Sequence, residues 1–181
     1  MKQPIKGGGR IKRKTKSKVK IIHKEEYGIS KLEIKFAHEF LDKFGYKYIY
    51  QYEAKDIGRY FDFVLTAYDE IDYLTENKHG LNSIKQEGQQ FLPCLIIEVD
   101  GDYWHSNPNK YDINKLTPTQ KRNRFVDKLK NEWAVKHSIP ILRFWEEDIH
   151  NNPDYVINQI KKYMGEGLKK RKIRENKNRP H

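Results

Sequence analysis

Three carboxyl groups and an imidazole lie within Glu98-Val99-Asp100-Gly101-Asp102-Tyr103-Trp104-His105. Leu95, Ile96 and Ile97, just before them, form an apolar run that reads as a strand buried on both faces. Alternate strand residues share a face, so Glu98 and Asp100 project on one side and Val99 on the other. Gly101 lets the chain bend and lands Trp104 and His105 next to the carboxylates. Carboxylates at the end of a buried strand are costly unless a cation accompanies them. A divalent metal ion would serve, as would a basic side chain such as Arg143. We expect the metal.

A further acid, Asp62, sits in Arg59–Thr66, where Phe61, Phe63 and Leu65 alternate against Asp62 and Val64. If that strand neighbours residues 94–100, Asp62 joins Glu98 and Asp100 in one carboxylate cluster. The plainer alternative is an acid facing solvent from an edge strand. His105, beside the carboxylates, is a candidate general base or transition-state stabiliser, or else a satisfied buried histidine.

These groups need elements to position them. Ser30 and Glu33 have capping-box spacing, and Leu32, Phe36, Phe40, Leu41 and Phe44 form the apolar stripe of a helix that Gly45 ends. Tyr46 to Tyr52 reads as an aromatic-rich strand. Residues 67–92 look like an insertion or hairpin, and Ser106 to Leu116 a polar loop. Thr117-Pro118 with Gln120 starts a long helix, running to about His137, with Phe125, Val126, Leu129 and Trp133 inward. On it Asp127 and Lys130 are one turn apart, a spacing that suits either a site or a surface ion pair. Ile139 to Trp145 is a strand whose Pro140 suits an edge or an entry position. A last helix opens at Asn152-Pro153. Trp104, Trp133 and Trp145 read as core residues. The expected fold is a single α/β domain over residues 21–166, helices flanking a mixed sheet.

Charge is unevenly placed. The net charge is +11, yet residues 1–20 alone hold nine Lys/Arg and no acid, and residues 169–181 hold seven against one Glu. The middle is therefore mildly acidic. A basic N-terminal tail (1–20), expected to be disordered, and a basic C-terminal tail (167–181) suit a polyanion, nucleic acid first. Arg10, Lys12, Arg13, Lys14, Lys169, Lys170, Arg171 and Lys172 are the candidate contacts; a merely solubilising tail is the alternative. The single cysteine, Cys94, rules out a disulfide framework and suits a reducing, cytoplasmic-type compartment. No long apolar stretch offers a membrane span.

Taken together, Glu33, Tyr60-Phe61-Asp62-Phe63, Glu98 to His105, Asp127 to Ala134 and Leu142-Arg143-Phe144-Trp145-Glu146 resemble the very-short-patch repair endonuclease-like branch of the PD-(D/E)XK nucleases. Some phage homing endonucleases share that branch, and the likeness covers about residues 30–160. It implies a three-layer, restriction-endonuclease-like sandwich that hydrolyses double-stranded DNA with Mg²⁺, for which Mn²⁺ substitutes. It makes Asp62 the metal ligand, helped by Glu98 or Asp100, and places Glu33, His105, Asp127 and Lys130 at or near the chemistry. Phosphodiester hydrolysis fits this set, since carboxylate-held metal ions can supply most of what it requires.

The chain departs from the wider superfamily where a lysine normally follows the acid by two positions; here that residue is Asp100. The cation must come from elsewhere, and His105 and Lys130 are the candidates. A second histidine and a zinc-binding Cys/His set are also missing, which argues against mismatch repair proper. One site per chain nicks one strand, so a double-strand break requires a homodimer on DNA or sequential cuts. A structure-specific nuclease and a catalytically inactive nucleic-acid-binding module are the competing readings.

Overall fold

In the computed structural model, which describes residues 30–66, 74–76, 81–84 and 93–177, local signals set the first elements. The Ser30 side chain accepts the Glu33 N–H at 3.0 Å and starts α1, Lys31–Phe36. The helix loosens into a π turn over Ala37–Leu41, tightens into a 3₁₀ turn over Asp42–Phe44, and stops at Gly45, whose φ is 69°. A left-handed backbone there favours glycine. The altered pitch lets Phe36, Ala37, Phe40 and Leu41 all reach the core, whereas Phe44 stays exposed.

Strands β1 (Lys47–Ala54), β2 (Arg59–Thr66) and β5 (Pro93–Asp100) form the middle of a mixed sheet. Short β3 (Leu74–Glu76) and β4 (Asn82–Ile84) pair antiparallel, so a hairpin does occur within residues 67–92. The strand order is β3-β4-β1-β2-β5-β6, with β6 (Ile141–Trp145) parallel to β5 at one edge. Pro140 thus precedes an edge strand, as its missing N–H suggests. Asp62, by contrast, lies on an interior strand.

Helices cover both faces. On one, α1, α3 (Glu146–Asn151) and α4 (Pro153–Lys177) pack Phe36, Phe40, Ile149, Val156 and Ile160 onto Tyr48, Phe63, Leu65, Ile97 and Phe144. On the other, α2 (Pro118–Lys136) sets Trp133 and Ala134 against Ala54, Phe61, Val64 and Ile96. This is the expected three-layer sandwich with helices on both sides of a mixed sheet.

Two inward assignments are corrected. Phe125 is 66% exposed and Trp104 57%, so neither belongs to the core. On α2 the inward face carries Gln120, Lys130, Trp133 and Ala134, because polar partners beneath the helix satisfy Gln120 and Lys130. The capping box at Thr117 is complete: its hydroxyl accepts the Gln120 N–H, and the Gln120 side chain accepts the Thr117 N–H. Helix α3 has no counterpart among the expected elements. Among the described residues, no helix is long and apolar enough to cross a membrane.

Candidate active site

The β2–β5 ladder pairs Phe63 with Ile97, and beyond that point side chains take over from main chain. The Val99 N–H donates to Asp62 Oδ2 at 2.8 Å, and the Asp62 N–H donates to Glu98 Oε1 at 3.1 Å. Each carboxylate is therefore held by main chain of the opposite strand. Gln51 on β1, between the pairs Tyr50–Phe63 and Tyr52–Phe61, has a φ of 52°. At this level the strands exchange faces. Tyr48, Tyr50 and Phe63 pack under α1 and α4, whereas Ala54 and Phe61 pack under α2. The departure from regular strand geometry thus coincides with Asp62.

Glu98 is buried, and its charge is met from α2: Lys130 Nζ donates to Glu98 Oε2 at 2.6 Å. Burial pulls the Lys130 ammonium down, but Glu98 and Asp62 outweigh it and raise its pKa overall. Glu33 does not complete a capping box. Its carboxylate turns inward and accepts the Tyr50 hydroxyl at 2.6 Å. Burial, then the charge of Glu33, pushes the Tyr50 phenol far up, so it stays a neutral donor. Asp62 is raised well above the usual carboxylate range by burial first, then by Glu98 and Glu33.

A second cluster adjoins the first through Arg143 of β6, which pairs with Glu98 in the parallel register. Arg143 Nη1 lies 2.8 and 2.7 Å from the two oxygens of Asp100, and Nη2 lies 3.1 Å from Asp127 Oδ1 and 3.6 Å from Glu98 Oε2. His105 Nδ1 is 2.9 Å from Asp127 Oδ2 and 3.4 Å from Asp100 Oδ1. Burial opposes the imidazolium, yet the Asp127 hydrogen bond and the charge of Asp100 raise the His105 pKa overall. For Asp127, burial acts upward, but His105 and Arg143 prevail and its carboxyl ends below the usual range. Asp100 ends above it, because burial outweighs Arg143 and His105.

The loop carrying His105 is tied down at both ends. Asp102 accepts from Asn107 Nδ2 at 2.8 Å and from Lys110 Nζ at 2.5 Å. Gln120 and Asn123 of α2 donate to the carbonyls of Tyr103 and Trp104. His105 therefore turns toward Asp127 while Tyr103 and Trp104 stay open to solvent.

Among the described residues, one group of acidic and histidine side chains is placed to hold a metal ion. Asp100, His105 and Asp127 each offer one ligand atom, all within 4.8 Å of one another. Arg143 already neutralises much of that set. Around Asp62, the carboxyl groups of Glu33, Asp62 and Glu98 face Lys130, and Arg143 Nη2 also lies 3.6 Å from Glu98. Burial is the larger cause of the raised Asp62 pKa, and the like charges of Glu98 and Glu33 add to it. Asp100, the third expected ligand, has both oxygens on Arg143.

The fold brings Glu33, Asp62, Glu98, Asp100, His105, Asp127 and Lys130 into one neighbourhood. Asp127 and Lys130 are not paired with each other, so the surface ion-pair alternative fails. Arg143, weighed from the sequence as a partner for Glu98 and Asp100, is found beside both, whereas Tyr50 is an addition for which the sequence carries no signal. Arg10, Lys12, Arg13 and Lys14 lie outside the described residues. Lys169, Lys170, Arg171 and Lys172 lie on the helical backbone of α4.

Among curated proteins, the chain is similar to the type II nicking enzyme V.HpaIIP of Haemophilus parainfluenzae, 33% identical over 79 residues. The match takes in 40% of this chain and 56% of that enzyme, so the chain spans about half the length of the relative. No family model and no solved structure matches the chain.

Proposed function

We propose that the protein is a metal-dependent endonuclease that hydrolyses phosphodiester bonds of double-stranded DNA, in the very-short-patch repair-like branch of the PD-(D/E)XK nucleases. The observation that carries this reading is the meeting of Asp62 and Glu98 across β2 and β5 with Lys130 at Glu98. The partial likeness to a nicking enzyme supports DNA as the substrate and one cut strand per engagement. Asp62 and Glu98 would hold Mg²⁺, or Mn²⁺ in its place, which supplies charge neutralisation at the phosphate and an activated water.

The chain's own side chains do the rest. With Nδ1–H donated to Asp127, His105 presents Nε2 for proton transfer, and its raised pKa suits it to protonate the leaving oxygen. Lys130 places a positive charge where the phosphate accumulates negative charge. The basic residues of both chain ends add phosphate contacts with little sequence reading.

One observation favours a second reading. Arg143 and Lys130 already pair with Asp100, Asp127 and Glu98, as a catalytically inactive nucleic-acid-binding module would require. Plasmid cleavage at low salt with Mg²⁺, Mn²⁺ or EDTA separates the two. Metal-dependent nicking lost in Asp62→Ala and Glu98→Ala, with DNA binding kept, supports the nuclease. Retained cutting in both variants overturns the assignment, and binding without cutting by the wild type supports the inactive module. Branched and mismatched duplexes, run alongside, test the structure-specific alternative, and target libraries test a homing-type one.

A further inference from the structure

The described domain offers a nucleic-acid contact surface apart from the two basic chain ends. Helix α2 turns Asp127 and Lys130 inward to the site, and its opposite side faces solvent. Between Pro118 and Leu129 the exposed residues include Lys121, Arg122, Arg124 and Lys128 and no acid. Residues three, four and seven apart share a helix face, so Lys121, Arg124 and Lys128 form one stripe, and Arg122 lies off it. The stripe spans about 10 Å, or about three base-pair rises of a duplex.

Three further observations bear on its use. Residues 21–168 carry a net negative charge, so a run of cations without acids stands against the local average. Among the described residues, Lys121, Arg122 and Arg124 make no ion pair, and Lys128 has only an exposed contact of 3.8 Å to Glu132. Cations whose role is structural are normally paired, as Lys130 and Arg143 are here. Finally, the same turns of α2 hold the His105 loop, through Gln120 to Tyr103 and Asn123 to Trp104. The stripe is rigidly coupled to the reacting groups.

We propose that the outward face of α2, through Lys121, Arg124 and Lys128, grips the phosphate backbone of the duplex whose scissile phosphate lies at the Asp62–Glu98 cluster. This rests on the nuclease reading and deepens it. The chemistry that fits is a regular row of phosphates, met by cations at one-turn spacing. Its role is to set the register of the strand against His105, with no base reading required.

The test is the salt dependence of binding to a short mixed-sequence duplex in EDTA, so that no cutting intervenes. Each phosphate contact contributes about 0.9 to the slope of log affinity against log salt. The double variant Lys121→Gln/Arg124→Gln is therefore expected to lower that slope by about two and to weaken binding at low salt. The charge-matched control Lys43→Gln/Lys161→Gln, on the α1 and α4 side, is expected to match the wild type. Circular dichroism checks that both variants stay folded. An unchanged slope in the α2 variant, or an equal loss in the control, overturns the α2 interface while leaving the nuclease reading intact. Absence of duplex binding by the wild type overturns both.

Discussion

Lys130 reaches Glu98 from a helix in a different layer, not from the strand that carries the acid. The contact is 2.6 Å, between side chains 11% and 1% exposed. It ties the α2 layer to the sheet where the carboxylates converge. Removing one partner of such a pair leaves a buried charge unmatched, which costs more than the pair itself contributes.

Lys130→Ala is accordingly expected to destabilise the fold by about 3–5 kcal/mol and to abolish cleavage. Lys130→Met, which keeps the aliphatic stem, is expected to lose activity as completely. Urea unfolding with plasmid nicking checks both; full activity in Lys130→Met would remove the lysine from the chemistry.

Metal binding is expected to appear as stability. A divalent ion that binds only the folded state adds about 2.7 kcal/mol at one hundred times its dissociation constant. Mg²⁺ or Mn²⁺ is thus expected to raise the melting temperature of the wild type, and Asp62→Asn to cancel the rise. Because Asp62 is protonated more readily than an ordinary carboxyl, the effect is expected to weaken as pH falls. A rise that survives in Asp62→Asn but disappears in His105→Ala would move the ion to the Asp100, His105 and Asp127 set.

The raised pKa of His105 fixes the sign of a pH effect. A histidine raised in the fold contributes stability that is fully present below its unfolded pKa, about 6.5, and is lost as pH rises through its folded pKa. Melting temperature is therefore expected to fall across that window in the wild type and less so in His105→Gln. Following the His105 ring signals by NMR locates the folded pKa directly; a midpoint below the ordinary histidine value would contradict the pairing with Asp127.

Gln51 is a non-glycine residue in the left-handed region, with its side chain 3.4 Å from the Tyr50 hydroxyl. A β-branched residue tolerates that backbone poorly. Gln51→Val is expected to cost about 1–3 kcal/mol and to reduce cleavage, since the strands exchange faces there beside Asp62. Gln51→Gly is expected to keep both stability and activity. Equal behaviour of the two variants in thermal melts and nicking assays would mean the backbone angle has no part in holding the acid.

Much of the architecture was legible in short windows of sequence. The alternation in residues 59–66 and the apolar run before Glu98 depend on which face of a strand each side chain takes, a local property. The caps at Ser30, Thr117 and Gly45 act within a few residues of their own backbone. Asp62, Glu98, Asp100 and His105 stood out because acids and an imidazole at the end of a buried strand require a reason. Phe125 and Trp104 misled, because size and apolarity suggest a core that the surface of α2 and its loop does not provide.

The amino-acid sequence by itself therefore determined most of the elements, the set of charged groups and the need for a cation at position 98. Only the tertiary structure decided which cation each acid received. Glu98 takes Lys130 from 32 residues away, and Asp100 takes Arg143 from 43 residues away. Glu33 leaves its own helix cap for Tyr50, and Asp127 passes over Lys130 for His105. The physical reason is that caps and alternation are settled by torsions and neighbours along the chain. The pairing of buried charges is settled by which layers meet, and desolvation then enforces the match.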